Sequence, residues 1–147
     1  YNTYIMKLKH IFFLPLLVML AAGCSKPKKN DVTFTVPTGT FSGTFKQLRY
    51  NVTKNDYDSV LTNISLSMDL TDGYHVTADT TIHANSYGNF TVNPFYIAFD
   101  DFTYSGTELP AIPHLLGTYG YDYDGSKLHM QQTYSDTLGF FYDLVKQ

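Results

Sequence analysis

The chain has no tryptophan, one cysteine and only 10 lysines and arginines among 147 residues. With Cys24 alone there is no intramolecular disulfide, no redox dithiol and no thiolate cluster for a metal, so stability must come from packing. From Val32 onward the basic residues reduce to Lys46, Arg49, Lys54, Lys127 and Lys146 against about a dozen acids, the reverse of what phosphate backbones require. Nucleic acid is therefore not an expected partner. Long apolar runs are also missing: the longest, Ile11 to Leu20, is broken by Pro15 and is too short to span a bilayer. No Gly-x-Ser-x-Gly elbow, phosphate loop or His-Glu-x-x-His occurs, so the familiar hydrolase, nucleotide and zinc-protease signatures are absent.

What is present begins with an address. Lys7, Lys9 and His10 precede that apolar run, and Leu20-Ala21-Ala22-Gly23 ends in small residues immediately before Cys24. The layout resembles a bacterial lipobox, which implies a diacylglycerol on the Cys24 thiol, cleavage before it and acylation of the new amino group. A secretory signal with an incidental cysteine is the alternative. The residues before Met6 read as an upstream extension. Residues 1–23 are thus expected to be extension and signal peptide, 24–31 a flexible tether, and 32–147 a single domain. Lys26, Lys28 and Lys29 in the tether would lie against anionic headgroups, or simply be solvated.

After Thr33 the pattern changes to period two. Val60, Thr62, Ile64, Leu66, Met68 and Leu70 alternate with polar neighbours, Asp72-Gly73 signals a type I′ hairpin, and Tyr74, Val76, Ala78, Thr80 and Ile82 continue on a second strand. That strand carries His75, Asp79 and His83 on its other face. Phe90 and Val92, then Phe95, Ile97 and Phe99, mark two more strands, with a phase slip at Asp100-Asp101 that predicts a bulge. Tyr119, Tyr121 and Tyr123 lead through Asp124-Gly125 to Leu128, Met130, Gln132 and Tyr134. The last strand sets Leu138, Phe140, Tyr142 and Leu144 against Phe141 and Val145, as if covered on both faces. In the first strand, Phe41 and Phe45 oppose Leu48, Tyr50 and Val52, which suggests a bend or bulge near Lys46. Pro110 and Pro113 make Gly106 to Gly117 an apolar loop with at most one helical turn at its end, suited to a flap or a plug. The expected fold is all-β: an antiparallel up-and-down barrel of about eight strands, with a β-sandwich as the alternative.

The residues able to carry chemistry do not converge in this reading. His75 and His83 would lie roughly 27 Å apart on one strand, too far to share a metal, and with His114 and His129 they read as solvated side chains. Asp100 and Asp101 point to opposite faces, and Asp122 and Asp124 flank a turn, so no catalytic pair is expected. Asn51, Asn63 and Asn89 match a glycosylation sequon but read as ordinary strand and turn residues in a bacterial chain. The remaining signal is aromatic: 13 tyrosines and 11 phenylalanines. Inward-facing rings could fill the barrel, or could line a ligand site made of Phe45, Met68, Tyr119, Tyr121, Met130 and Tyr142.

Gly39-Thr40-Phe41 opening the first strand, Gly117-Thr118-Tyr119 after the proline loop, the Asp-Gly hairpin and the C-terminal Tyr142-Asp143-Leu144-Val145-Lys146 resemble, in layout, the small lipocalin-like lipoproteins of Gram-negative bacteria. Phe41 stands where lipocalins proper carry a tryptophan. The resemblance implies an outer-membrane lipoprotein, facing the periplasm or the cell surface, held in the bilayer through Cys24. It would bind a small apolar or amphipathic ligand or, with a filled barrel, an envelope protein partner. No cofactor, metal or enzymatic activity is expected.

Overall fold

The computed structural model describes residues 34–147; the expected signal, the expected lipidation at Cys24 and the expected tether lie outside the described residues. The strands are β1 (Gly39–Asn51), β2 (Asp56–Asp69), β3 (Gly73–Ala78), β4 (Ser86–Val92), β5 (Tyr96–Asp101), β6 (Gly117–Tyr123), β7 (Lys127–Tyr134) and β8 (Leu138–Lys146). Each pairs antiparallel with its sequence neighbours. β8 returns to β1, closing an up-and-down barrel, the architecture expected, and a layout consistent with a lipocalin-like chain. A sandwich is thereby set aside.

Alternation explains the closure. Odd positions of β1 and even positions of β2, β7 and β8 point inward, so Phe41, Phe45, Ile64, Leu66, Met68, Leu128, Met130, Phe140, Tyr142 and Leu144 form one core with Tyr74, Val76, Ile97, Phe99 and Tyr119. Outward positions are mostly small or polar, which suits a wetted outer face.

Several local expectations are corrected. β1 carries no bulge: its register runs unbroken from Gly39↔Met68 to Asn51↔Asp56, and Leu48 is apolar because it lines an outer groove with Tyr57 and Phe141. The apparent slip at Asp100-Asp101 is not a bulge either, since Ile97, Phe99 and Asp101 keep one inward phase and Phe102 turns outward where β5 ends. At the Asp-Gly turns only Gly73 (φ 81°) and Gly125 (φ 96°) are left-handed, while Asp69 and Asp124 cap the following amides; these are not type I′ turns. β8 is covered on one face only, for Val145 is exposed and the Lys46 ammonium sits 5.3 Å from the Phe141 ring centroid. The proline loop contains no helical turn; the short 3-10 turn lies instead at Ser135–Thr137.

The strands are unequal in length. β2 pairs with β3 only from Ile64↔Ala78 to Asp69↔Gly73, so among the described residues Asp56–Asn63 are paired on the β1 side alone. The β1–β2 hairpin thus stands beyond the rest of the wall at the mouth that also holds the proline loop.

Gly43 tests the closure. A Cβ there would collide with the Asp143 carbonyl oxygen and the Leu144 backbone across the β1–β8 seam. Gly43→Val is expected to lose about 3 kcal/mol or more of stability, read as a lowered urea midpoint. A midpoint equal to that of the unsubstituted chain would show that the seam is not closely packed.

Candidate functional site

The side chains that sequence placed around a ligand are brought together, but against one another. The Tyr142 ring lies 5.0 Å from Phe45 and 5.5 Å from Tyr119, and Tyr119 continues through Phe99 at 5.8 Å to Tyr74 at 4.9 Å. Tilted and edge-on pairs of this kind each contribute about 0.5–1.5 kcal/mol beyond their buried area. Phe45, Tyr119, Met130 and Tyr142 expose no surface at all, and Met68 almost none. A side chain bordering a water-sized void would retain accessible surface, so no such void touches those four. Tyr121 is only half-buried and packs against this core from the opposite mouth, its hydroxyl donating to the Asn93 carbonyl at 2.8 Å.

His83 is the main residue that pattern reading misplaced. The alternation ran on to Ile82, but the chain leaves β3 at Ala78. Asp79 Oδ1 accepts from the Thr81 amide and hydroxyl, and the Asp79 carbonyl accepts from the amides of Ile82 and His83. That turn rolls His83 into the core instead of into solvent. Its ring packs 4.7 Å from Phe45; Nδ1 donates to the Ala84 carbonyl at 2.8 Å, which leaves Nε2 to accept the Tyr142 hydroxyl at 2.8 Å. Burial, the largest influence, pushes the imidazole down to about 4, so it is neutral at physiological pH. Burial likewise pushes the Tyr74, Tyr119 and Tyr142 phenols up, keeping all of them protonated. The Asp79-Thr80-Thr81 sequence was the available signal, since an Asx turn ends a strand.

The proline loop closes the mouth above these rings. Leu115 is fully buried in the core, its carbonyl accepting from the Tyr74 hydroxyl at 2.7 Å, and the Pro113 carbonyl accepts from the Ala84 amide at 2.8 Å. His114 is not solvated as expected. Its Nδ1 lies 2.7 Å from Asp101 Oδ2, while Asp101 Oδ1 accepts from the Thr103 amide and hydroxyl. The loop is therefore a plug, fastened by two buried side chains, Pro113 and Leu115, and a set of polar contacts. Among the described residues Tyr119 Oη, Ser86 Oγ and Gln132 Oε1 lie buried without a hydrogen-bond partner. His129 lies outside, against Asp143 at 2.5 Å, and His75 is exposed. Among the described residues no group of three His, Cys, Asp or Glu side chains is placed to hold a metal.

Outside the barrel, two open grooves stand out. One of about 870 Å³ includes Ser67, Asp69, His75, Tyr87, Asn89 and Phe102; the other, of about 390 Å³, includes Leu48, Tyr57, Leu138 and Phe141. No protein-family model, curated protein or solved structure matches the chain.

The histidine gives a pH dependence with a definite sign. Its folded value lies below the ordinary 6.5, so between pH 6.5 and 4 the unfolded chain binds more protons and stability falls as pH falls. This contribution is complete above pH 6.5 and declines by up to about 1.4 kcal/mol per pH unit below it. His83→Gln should flatten that part of the curve in urea melts taken from pH 7 to 4. An unchanged slope would mean that His83 is not buried as a neutral ring.

Proposed function

We propose that this protein is a non-enzymatic, lipid-tethered interaction module of the bacterial envelope, which acts through the outside of a filled barrel. The observation that carries this reading is the packing of Phe45, Tyr119, Met130 and Tyr142, all without accessible surface, beneath the Leu115 plug. A lumen occupied by its own rings serves as a rigid scaffold, whereas a carrier needs concave space of several hundred Å³. The lipobox pattern ending at Cys24 supports an anchor in the outer membrane, and the basic tether supports a periplasmic face. The outer surface supplies contact chemistry: apolar Leu61, Tyr57 and Phe141, and the two grooves.

A second reading, binding of a small apolar or amphipathic molecule inside the barrel, draws on the unpartnered Tyr119, Ser86 and Gln132 atoms. Such a guest would have to displace Leu115 and part the tyrosines, giving up packing and hydrogen bonds before gaining any. One measurement separates the two. Native mass spectrometry of the protein taken from its own envelope should give the chain with acyl groups on Cys24, together with a stoichiometric protein partner or further copies of the chain. A small molecule retained at one per chain, beyond the acyl groups, would overturn the filled-scaffold reading.

A further inference from the structure

One rim of the barrel collects the entry of the chain and the tips of three hairpins. β1 starts there at Gly39, and the turns joining β2 to β3, β4 to β5 and β6 to β7 lie on the same rim, because each strand runs opposite to its neighbours. In this acidic chain the β4–β5 hairpin is distinct: it has no Asp, Glu, Lys or Arg from Ser86 to Phe99. At its tip Phe95 is 79% exposed, beside exposed Pro94 and Tyr96, and Leu70 on the neighbouring β2–β3 tip is 67% exposed. Phe95 is held out by a well-bonded turn. Asn93 Oδ1 accepts from the amides of Phe95 and Tyr96 at 2.8 and 3.0 Å, the Asn93 amide donates to the Tyr96 carbonyl at 3.0 Å, and the Tyr121 hydroxyl donates to the Asn93 carbonyl. The turn is complete without the ring, and the fold buries little of it.

We infer that this rim docks on the bilayer, with Phe95 and Leu70 inserted below the headgroups and Tyr96 at their level. The inference rests on the lipid-tethered reading above and adds a second, non-covalent contact to it. The occupant follows from where the chain leads. Cys24 precedes Phe34 by ten residues, which span about 35 Å at full extension, and the chain enters the barrel at this rim. An anchor at Cys24 therefore keeps the two tips within reach of the membrane, and a contact made within a tether's reach forgoes most of the cost of association. Apolar side chains and a tyrosine on a stiff turn are groups that settle at a membrane–water interface. Charge does not drive the contact. Asp69 and Asp124 turn their carboxylates onto amides of their own turns, and with Asp72 they outnumber Lys127 and Lys146 on the rim, so an anionic surface has no advantage over a zwitterionic one. The opposite mouth also exposes apolar Val52, but that residue shares its turn with Lys54, and the chain does not enter there. Docked in this way, the barrel turns the β1–β2 overhang and the proline plug away from the bilayer.

The absence of tryptophan supplies the probe. The full chain carrying Phe95→Trp is purified with its anchor and reconstituted into phosphatidylcholine vesicles. Its emission should be blue-shifted, and acyl chains that carry bromine should quench it about twofold or more. Val52→Trp, 84% exposed at the opposite mouth before substitution, should emit as in water and stay unquenched. Leu70→Asp added to Phe95→Trp should relieve most of the quenching, whereas high salt should leave it in place. An unquenched Phe95→Trp, equal quenching at both mouths, quenching that salt abolishes, or quenching untouched by Leu70→Asp would each overturn the proposal. So would a blue shift that requires an added envelope protein instead of lipid. Acyl groups on Cys24 together with an unquenched Phe95→Trp would leave the tethered reading standing and remove only the docked rim. A chain mass without acyl groups would remove the tethered reading itself, and that mass is read independently of the quenching.

Discussion

The seam between β1 and β8 is the constraint from which the rest follows. Once Phe41↔Lys146 through Arg49↔Leu138 are paired, every inward side chain must find its neighbour inside a tube with no exit except the two mouths. Gly43 is small because the seam passes over it, and Phe45 and Tyr142 meet because they are paired across it. The tyrosines then need partners for their hydroxyls in a dry interior. Tyr142 finds His83, and Tyr74 finds the backbone of the plug. Those two bonds join the interior to the loops at one mouth, so the plug and the core are one packed body.

Much of this was legible because period two is a physical signal. Strands such as β2 and β8 announce their inward residues by alternation, and the barrel follows from short connections between them. The errors have one common source: local polar chemistry that ends or caps a strand leaves little trace in the apolar pattern. Asp79 diverts the chain before Thr80 and turns His83 inward. Asp101 holds an inward position that the pattern reserved for an apolar residue, and His114 meets it from the proline loop. Leu48 and Phe141 face outward yet are apolar because they share a groove, which from sequence alone resembled a bulge in one strand and a second cover on the other. Phe45, Met68, Tyr119, Tyr121, Met130 and Tyr142 were expected to line a ligand site or to fill the barrel; that Leu115 would join the same core depends on contacts no periodicity reports.

A filled interior changes where recognition has to happen. Rings in contact across the barrel make the wall stiff, and a stiff wall can hold loops, grooves and a strand edge in fixed positions at little entropic cost on binding. The overhang of β2 illustrates the point, since it is paired with β1 on one side and with no described strand on the other. On the proposed reading, function is displaced from the lumen, where a lipocalin-like layout would first direct attention, to the outer wall and the rim.

The central claim is that the lumen is solid and that Leu115 keeps it so. Xenon-129 NMR tests it directly, because xenon enters dry apolar cavities and is insensitive to filled ones. The unsubstituted chain should show no specific xenon shift, and Leu115→Ala, which removes the plug's anchor, should show one. A specific shift in the unsubstituted chain would contradict the account.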